Sequence, residues 1–174
     1  YGVRSGYGTY IMADGAKYVG EYRDGDIEGH GRYEMPSGEV YDGDWIQNRR
    51  HGNGTCLWPN GDVYEGDYRN GEWNGTGIYK GANGAVYQGG FRNGVRHGYG
   101  KATLENGAVY EGNWKNGLRD GEGKYYWANG DIYEGNWSND KMNGFGMLRL
   151  ANGHKYRGTF ADGLAHGQGP AEDK

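Results

Sequence analysis

Glycine recurs in this 174-residue chain every 23 residues, without insertion or deletion from Gly2 to Gly169. With Tyr18 taken as the first position of a unit, glycine fills the third position from Gly20 to Gly158 and the twelfth from Gly6 to Gly167. It also fills the fourteenth from Gly8 to Gly169 and the twenty-first from Gly15 to Gly153. Most copies of the eighth position are glycine too, so that of 38 glycines only Gly81 and Gly90 stand outside the pattern. Without a period such a load marks a disordered chain. In register with aromatic residues it marks a repeat architecture, in which each unit buries its apolar face against the next. Here the first position is Tyr in every copy, and the fifth is Tyr22, Trp45, Tyr68, Phe91, Trp114, Trp137 or Phe160.

Each unit carries two turn signals. Positions seven and eight read Asp-Gly or Asn-Gly in most copies, and positions twenty and twenty-one read Asn-Gly from Asn60 onward. Both suggest tight hairpins, because a type I′ turn needs positive φ at its two central residues. Where the eighth position is not glycine it is Asn48 or Asp140, side chains that tolerate that conformation. Between turns the residues alternate with period two: Tyr110, Gly112 and Trp114 share one face, and Glu111, Asn113 and Lys115 the other. The sequence therefore predicts an all-β fold, an elongated single-layer antiparallel meander with two short strands per unit, twisted and curved around an aromatic and glycine groove. Some fifteen strands at ~4.8 Å give a ribbon about 70 Å long. The glycines of positions three, twelve and fourteen are expected on the aromatic face, where a ring can lie flat over backbone that has no Cβ.

The segments "YEGDYRNGEWNGTG", "YEGNWKNGLRDGEG" and "YQGGFRNGVRHGYG" resemble the MORN (membrane occupation and recognition nexus) repeat, whose core reads Tyr-x-Gly-x-Trp-x-x-Gly-x-x-His-Gly-x-Gly. The resemblance covers one continuous array over residues 1–169. It consists of a partial unit 1–17, full units 18–40, 41–63, 64–86, 87–109, 110–132 and 133–155, and a partial unit 156–169, with a charged tail at 170–174. It implies an elongated sheet that binds partner helices in a groove or pairs with its own kind at its ends. Such arrays serve as cytoskeletal or membrane-associated scaffolds, or accompany lipid kinases and lysine methyltransferases. The family's His position is kept only at His51, His97 and His166.

No catalytic, metal or cofactor site is expected. His51 and His97 lie two units apart, roughly 19 Å in a sheet of this spacing, too far to share one zinc. A histidine at this position is expected to bond within its own hairpin loop. Cys56 falls among apolar residues as a small buried filler, and one cysteine cannot build a disulfide framework. The carboxylates lie on the polar face, without an apolar pocket to raise a pKa, and the glycines do not form a phosphate-cradling loop. The net charge of −4 gives no general attraction to nucleic acid or anionic lipid. There is neither a signal peptide nor an apolar run long enough to span a bilayer, and the first residue is Tyr, so a fragment of a cytoplasmic protein is expected.

The function expected is that of a non-catalytic protein-interaction scaffold, cytoskeletal or membrane-associated. Its groove would take a partner helix or extended segment on Tyr64, Tyr68, Tyr87, Phe91, Tyr110, Trp114, Tyr133 and Trp137. Arg49, Arg50, Arg96 and Arg119 form a basic edge able to meet phosphates or acidic residues, with Trp73 as an exposed anchor beside them. The alternatives are a phosphoinositide or membrane-surface module using that edge, and an accessory array of a larger enzyme. An open meander also leaves unpaired ends. Tyr156 and Phe160, at the C-terminal edge before Pro170, mark the expected contact of an end-to-end homodimer.

Overall fold

The structure is a computed structural model and describes residues 2–166 and 171–172. Strands follow the repeat: β1 Gly6–Ile11, β2 Lys17–Arg23, β3 Asp26–Glu34, β4 Val40–Ile46, β5 Arg49–Leu57, β6 Val63–Arg69, β7 Glu72–Lys80 and β8 Val86–Arg92. They continue as β9 Val95–Thr103, β10 Val109–Lys115, β11 Leu118–Tyr126, β12 Ile132–Ser138, β13 Lys141–Arg149, β14 Lys155–Ala161, β15 Leu164–His166 and β16 Ala171–Glu172. The first fifteen lie side by side in chain order in one open antiparallel sheet, and β16 returns to pair with β14. Contacts divide the chain into two units. The first runs to Ala82 and takes in Phe91–Gly94; the second takes Asn83–Gly90 and the chain from Val95 on.

The seventh and eighth positions form type I′ turns as the sequence predicts. Both central residues have positive φ in every copy, as at Asn116 (50°) and Gly117 (83°), or Asn139 (46°) and Asp140 (72°). Each turn also donates back one repeat: Gly117 N–H reaches the Arg96 carbonyl at 2.9 Å, and Gly71 N–H the Arg50 carbonyl at 2.8 Å. The other turn corrects the expectation. Only its glycine has positive φ, as at Gly107 (87°), and Gly107 N–H bonds the Leu104 carbonyl while Leu104 N–H bonds the Ala108 carbonyl. This is a three-residue hairpin loop, a type I turn closed by a left-handed glycine. Its Asn acts through the side chain instead: Asn106 Oδ1 accepts Ala108 N–H at 3.0 Å, and Asn60, Asn83, Asn129 and Asn152 repeat the bond.

A second correction concerns the twelfth-position glycines. Opposite Asn113 the partner strand runs through three residues, so Gly112 pairs with Gly123 but Trp114 pairs with Arg119. That bulge puts Gly121 at φ 99°, and a Cβ there would face the Asn113 side chain on the polar side. The polar face is accordingly not merely solvated. Glu21, Asp44 and Asp67 accept the bulge N–H groups of His30, Asn53 and Thr76 at 3.0, 3.1 and 2.8 Å.

Glycines of positions three and fourteen do what the sequence predicts. A Cβ on Gly112 would strike the Gly123 backbone, and one on Gly123 would strike the ring of Tyr110. Close approach of the two strands and a flat-lying ring thus require glycine on both sides of the pair.

Candidate functional site

The aromatic positions build an interlocked ladder. The Tyr110 ring meets Trp114 of its own strand edge-on at 5.0 Å and Trp137 of the next repeat edge-on at 5.4 Å. Tyr133 does the same with Trp137 and Phe160, and Tyr41 with Trp45 and Tyr68. Each first-position hydroxyl then donates to a carbonyl three residues on, as Tyr110 to Asn113 at 2.7 Å and Tyr64 to Asp67 at 2.9 Å. Indole N–H groups find glycine carbonyls: Trp114 donates to Gly100 and Trp137 to Gly123. Among the described residues the ladder therefore satisfies its polar atoms within itself, except the buried hydroxyl of Tyr22, which has no hydrogen-bond partner. Burial pushes the hydroxyls of Tyr18, Tyr87 and Tyr133 up to about 12, and those of Tyr41, Tyr64 and Tyr110 higher still.

This changes the place of the expected groove residues. Tyr64, Tyr68, Tyr87, Phe91, Tyr110, Trp114, Tyr133 and Trp137 are all buried, none more than 6% exposed. They are the hydrophobic core of the array, because the rings cover one another and tenth-position side chains lie over several of them.

That covering layer includes most of the expected basic edge. Arg50 lies over Tyr41 and pairs with Glu39 at 3.0 Å. Arg119 lies over Trp137 and Tyr125 and pairs with Asp140, both Nε and backbone N–H reaching the carboxylate. Arg96 lies over Trp114 and donates to the Gly117 carbonyl at 3.3 Å. Burial draws the Arg96 guanidinium below its ordinary value, whereas Arg50, against the same burial, is raised by its bond to Glu39. The four arginines are thus not one row: Arg49 alone is exposed, on the other side of its strand. Trp73 takes the arginine's place in its own repeat, half-buried, stacked on Tyr64 at 4.4 Å with its N–H on the Tyr68 hydroxyl. It is a core residue and not a free anchor.

The C-terminal residues are also displaced from their expected role. β14 is paired by β13 on one side and by β15 and β16 on the other. Phe160 is 3% exposed, edge-on to Tyr133 at 5.0 Å, and Tyr156 is half-buried beside it. The chain folds back over this edge, so these rings do not form an open end. Pro170 lies outside the described residues.

An open site lies on the opposite face of the second unit. A groove of about 730 Å³ is lined by Tyr99, Phe145, Met147, Glu122, Lys124 and Arg157, floored by Gly112, Gly123, Gly135 and Gly146. Tyr99 and Phe145 are 60% and 58% exposed. Both occupy the thirteenth position, as does Tyr7 beside a smaller cleft in the first unit. The floor glycines are those of positions three and fourteen, so the residues that let rings lie flat on one side leave bare backbone on the other.

Against known families, the MORN-repeat model matches residues 1–17, 18–40, 41–63, 64–86, 87–109, 110–132, 133–155 and 156–169. The chain belongs to the MORN-repeat family. No curated protein matches it. Among solved structures, the G-box domain of the microcephaly protein CPAP is similar to this MORN array at 13% identity, over 88% of this chain and 82% of that one, with a TM-score of 0.52. The TCP domain of Drosophila melanogaster SAS-4 (dCPAP), solved with a proline-rich motif of Ana2 (dSTIL), matches at 18% identity over 97% and 90%, with a TM-score of 0.48. The CPAP G-box likeness is one of fold.

In this MORN array the His position has a structural part. His51 and His97 accept, through Nδ1 at 3.5 Å, the N–H that opens the next repeat's type I′ turn, not one in their own loop. Ser5 and Asp120 serve the corresponding N–H groups at Asp24 and Asn139, which is why the side chain varies freely among acceptors. The His166 side chain lies outside the described residues. Cys56 is fully buried, and burial pushes its thiol up to about 12, a poor nucleophile. Among the described residues no three His, Cys, Asp or Glu side chains gather to hold a metal, and no helix is long and apolar enough to cross a membrane. Sequence reasoning missed the groove because Tyr99 and Phe145 sit on the face read as polar. The signal was present: an aromatic at the thirteenth position at Tyr7, Tyr99 and Phe145, where other copies carry His30, Asn53, Thr76, Glu122 or Gln168.

Proposed function

We propose that this MORN array is a non-catalytic interaction scaffold that binds an extended segment of a partner protein along the polar-face groove of its second unit. The observation that carries this reading is the pair of exposed rings, Tyr99 and Phe145, standing over bare glycine backbone. Exposed aromatics in a cleft are the usual anchors of protein recognition, and the buried ladder beneath gives them a rigid base. A helix against the first- and fifth-position rings does not fit, since those rings are covered. A phosphoinositide reading loses its basis too, because Arg50 and Arg119 are already paired with carboxylates. A cytoskeletal setting is part of the proposal. The family's use in scaffolds supports it, and the fold is shared with the CPAP G-box domain, whose structure suggests a role in centriole elongation. Self-association is a separate matter of assembly, decided by sedimentation equilibrium.

The test is site-specific photo-crosslinking of the full-length protein in native lysate. A benzophenone side chain replacing Phe145 or Tyr99 should form a discrete crosslink to a protein partner, and one replacing Arg49 should not. Crosslinks from position 49 with none from the groove would overturn the reading.

A further inference from the structure

The groove has a charge arrangement that specifies its occupant more narrowly. Glu122 on β11 shares the thirteenth position with Tyr99 on β9 and Phe145 on β13, and so lies between the two rings on the strand midway. Its neighbouring carboxylates are occupied: Glu111 accepts the Tyr99 hydroxyl at 2.8 Å, and Glu134 pairs with Lys124 at 3.5 Å. The Glu122 carboxylate is exposed and has no hydrogen bond or ion pair among the described residues, its backbone carbonyl alone accepting the Asn113 amide at 3.2 Å. Nor, among the described residues, does the Tyr99 or Phe145 ring stack on another ring.

The first unit shows the contrast. There the same position carries Tyr7, which is exposed, and His30, Asn53 and Thr76, whose side chains are bonded on the sheet itself, to Asp42, Asp67 and Asp67 at 2.8, 2.8 and 3.2 Å. Among the described residues, only the second unit combines two exposed, unstacked rings with a carboxylate that has no hydrogen bond or ion pair. Arg157 belongs to a different row, opposite Met147 and in line with Glu134 and Lys124. It repels a second cation there without neutralising Glu122.

We propose that the groove takes an extended partner segment whose arginine side chain enters beside Tyr99 and pairs with Glu122, while Phe145, two strands beyond Glu122, meets a flanking residue of the same segment; this rests on the groove reading above. The guanidinium lies over one aromatic face, that of Tyr99, and donates to a carboxylate in a half-enclosed site, where such bonds are stronger than in water. A flanking apolar residue would contact Met147 and the ring edges.

The experiment titrates the whole chain with a fluorescein-labelled peptide centred on Gly-Leu-Arg-Leu-Gly and with its citrulline counterpart, which keeps shape but loses charge. Fluorescence anisotropy should show the arginine peptide binding about tenfold or more tightly than the citrulline one, and Glu122→Gln should erase that preference with the circular dichroism spectrum unchanged. Equal binding of the two peptides, or a preference that survives Glu122→Gln, overturns the inference. If the arginine peptide fails to bind while crosslinks still form at position 145, the inference falls and the groove stands. If neither is seen, both fall.

Discussion

The ring of Tyr110 lies flat over Gly123 on the neighbouring strand, so that a Cβ at Gly123 would collide with its Cε2, Cζ and Oη atoms. That contact repeats as Tyr41 over Gly54, Tyr64 over Gly77 and Tyr133 over Gly146.

Gly123→Ala should therefore destabilise the fold by about 1–3 kcal/mol, the cost of overpacking a filled site. Gly8, at the same position in β1, has open space around it. Gly8→Ala should stay within about 0.5 kcal/mol of the parent. Urea unfolding of both variants checks the pair, and equal effects would refute the ring contact as the cause.

The two aromatic sets should separate cleanly. Tyr64→Ala removes a fully buried ring and is expected to cost about 3–5 kcal/mol. Tyr99→Ala combined with Phe145→Ala removes exposed rings and should leave the melting temperature nearly unchanged while abolishing partner binding. Phe160→Glu belongs with the core set, so its measured effect should be unfolding and not the splitting of a dimer.

Asp140→Asn keeps a residue that tolerates the positive φ of 72° at that position but removes the charge facing Arg119. Although burial works against the charged carboxyl, the bonds from Arg119 hold it below the usual carboxylate range. The pair is partly exposed, so the expected loss is about 1 kcal/mol. The Asp140 contribution is present above the ordinary carboxylate pKa and fades as pH falls through the lowered one. Melting curves of parent and variant should converge at acid pH.

Alkali should unfold the array abruptly. The buried tyrosines are neutral, and burial lifts the hydroxyls of Tyr18, Tyr87 and Tyr133 from 10.0 to about 12. A raised folded-state pKa means the stabilisation is complete below the unfolded value and is lost as pH rises through the folded one. Phenolate absorbance and circular dichroism should change together between those values. Ionisation of most tyrosines near 10 with the sheet intact would contradict the ladder.

Flotation of the chain with liposomes, with and without phosphoinositides, is expected to leave it in the soluble fraction. Lipid-dependent flotation that persists in high salt would restore the membrane reading.

The 23-residue period alone determined that the chain is an antiparallel meander, because period-two alternation between turn signals admits little else. It also determined that the third- and fourteenth-position glycines sit under rings, since no other residue lets strands with facing tyrosines close. The type I′ turns were legible at positions seven and eight, but the same Asn-Gly signal at positions twenty and twenty-one was misleading, because there only the glycine takes positive φ. Three matters were settled only by the folded sheet. The bulge opposite Asn113 shifts the alternation, which moves Gly121 to the polar side; a strand pattern counted residue by residue cannot show an insertion made by pairing. The rings of Tyr64 and Trp114 are buried because Trp73, of the same repeat as Tyr64, and Arg96, of the repeat before Trp114, fold over them, and burial depends on neighbours that a column of residues does not reveal. Glu122 is free while Glu111 and Glu134 are not, a difference between identical residues that arises only from which partners the sheet brings within reach.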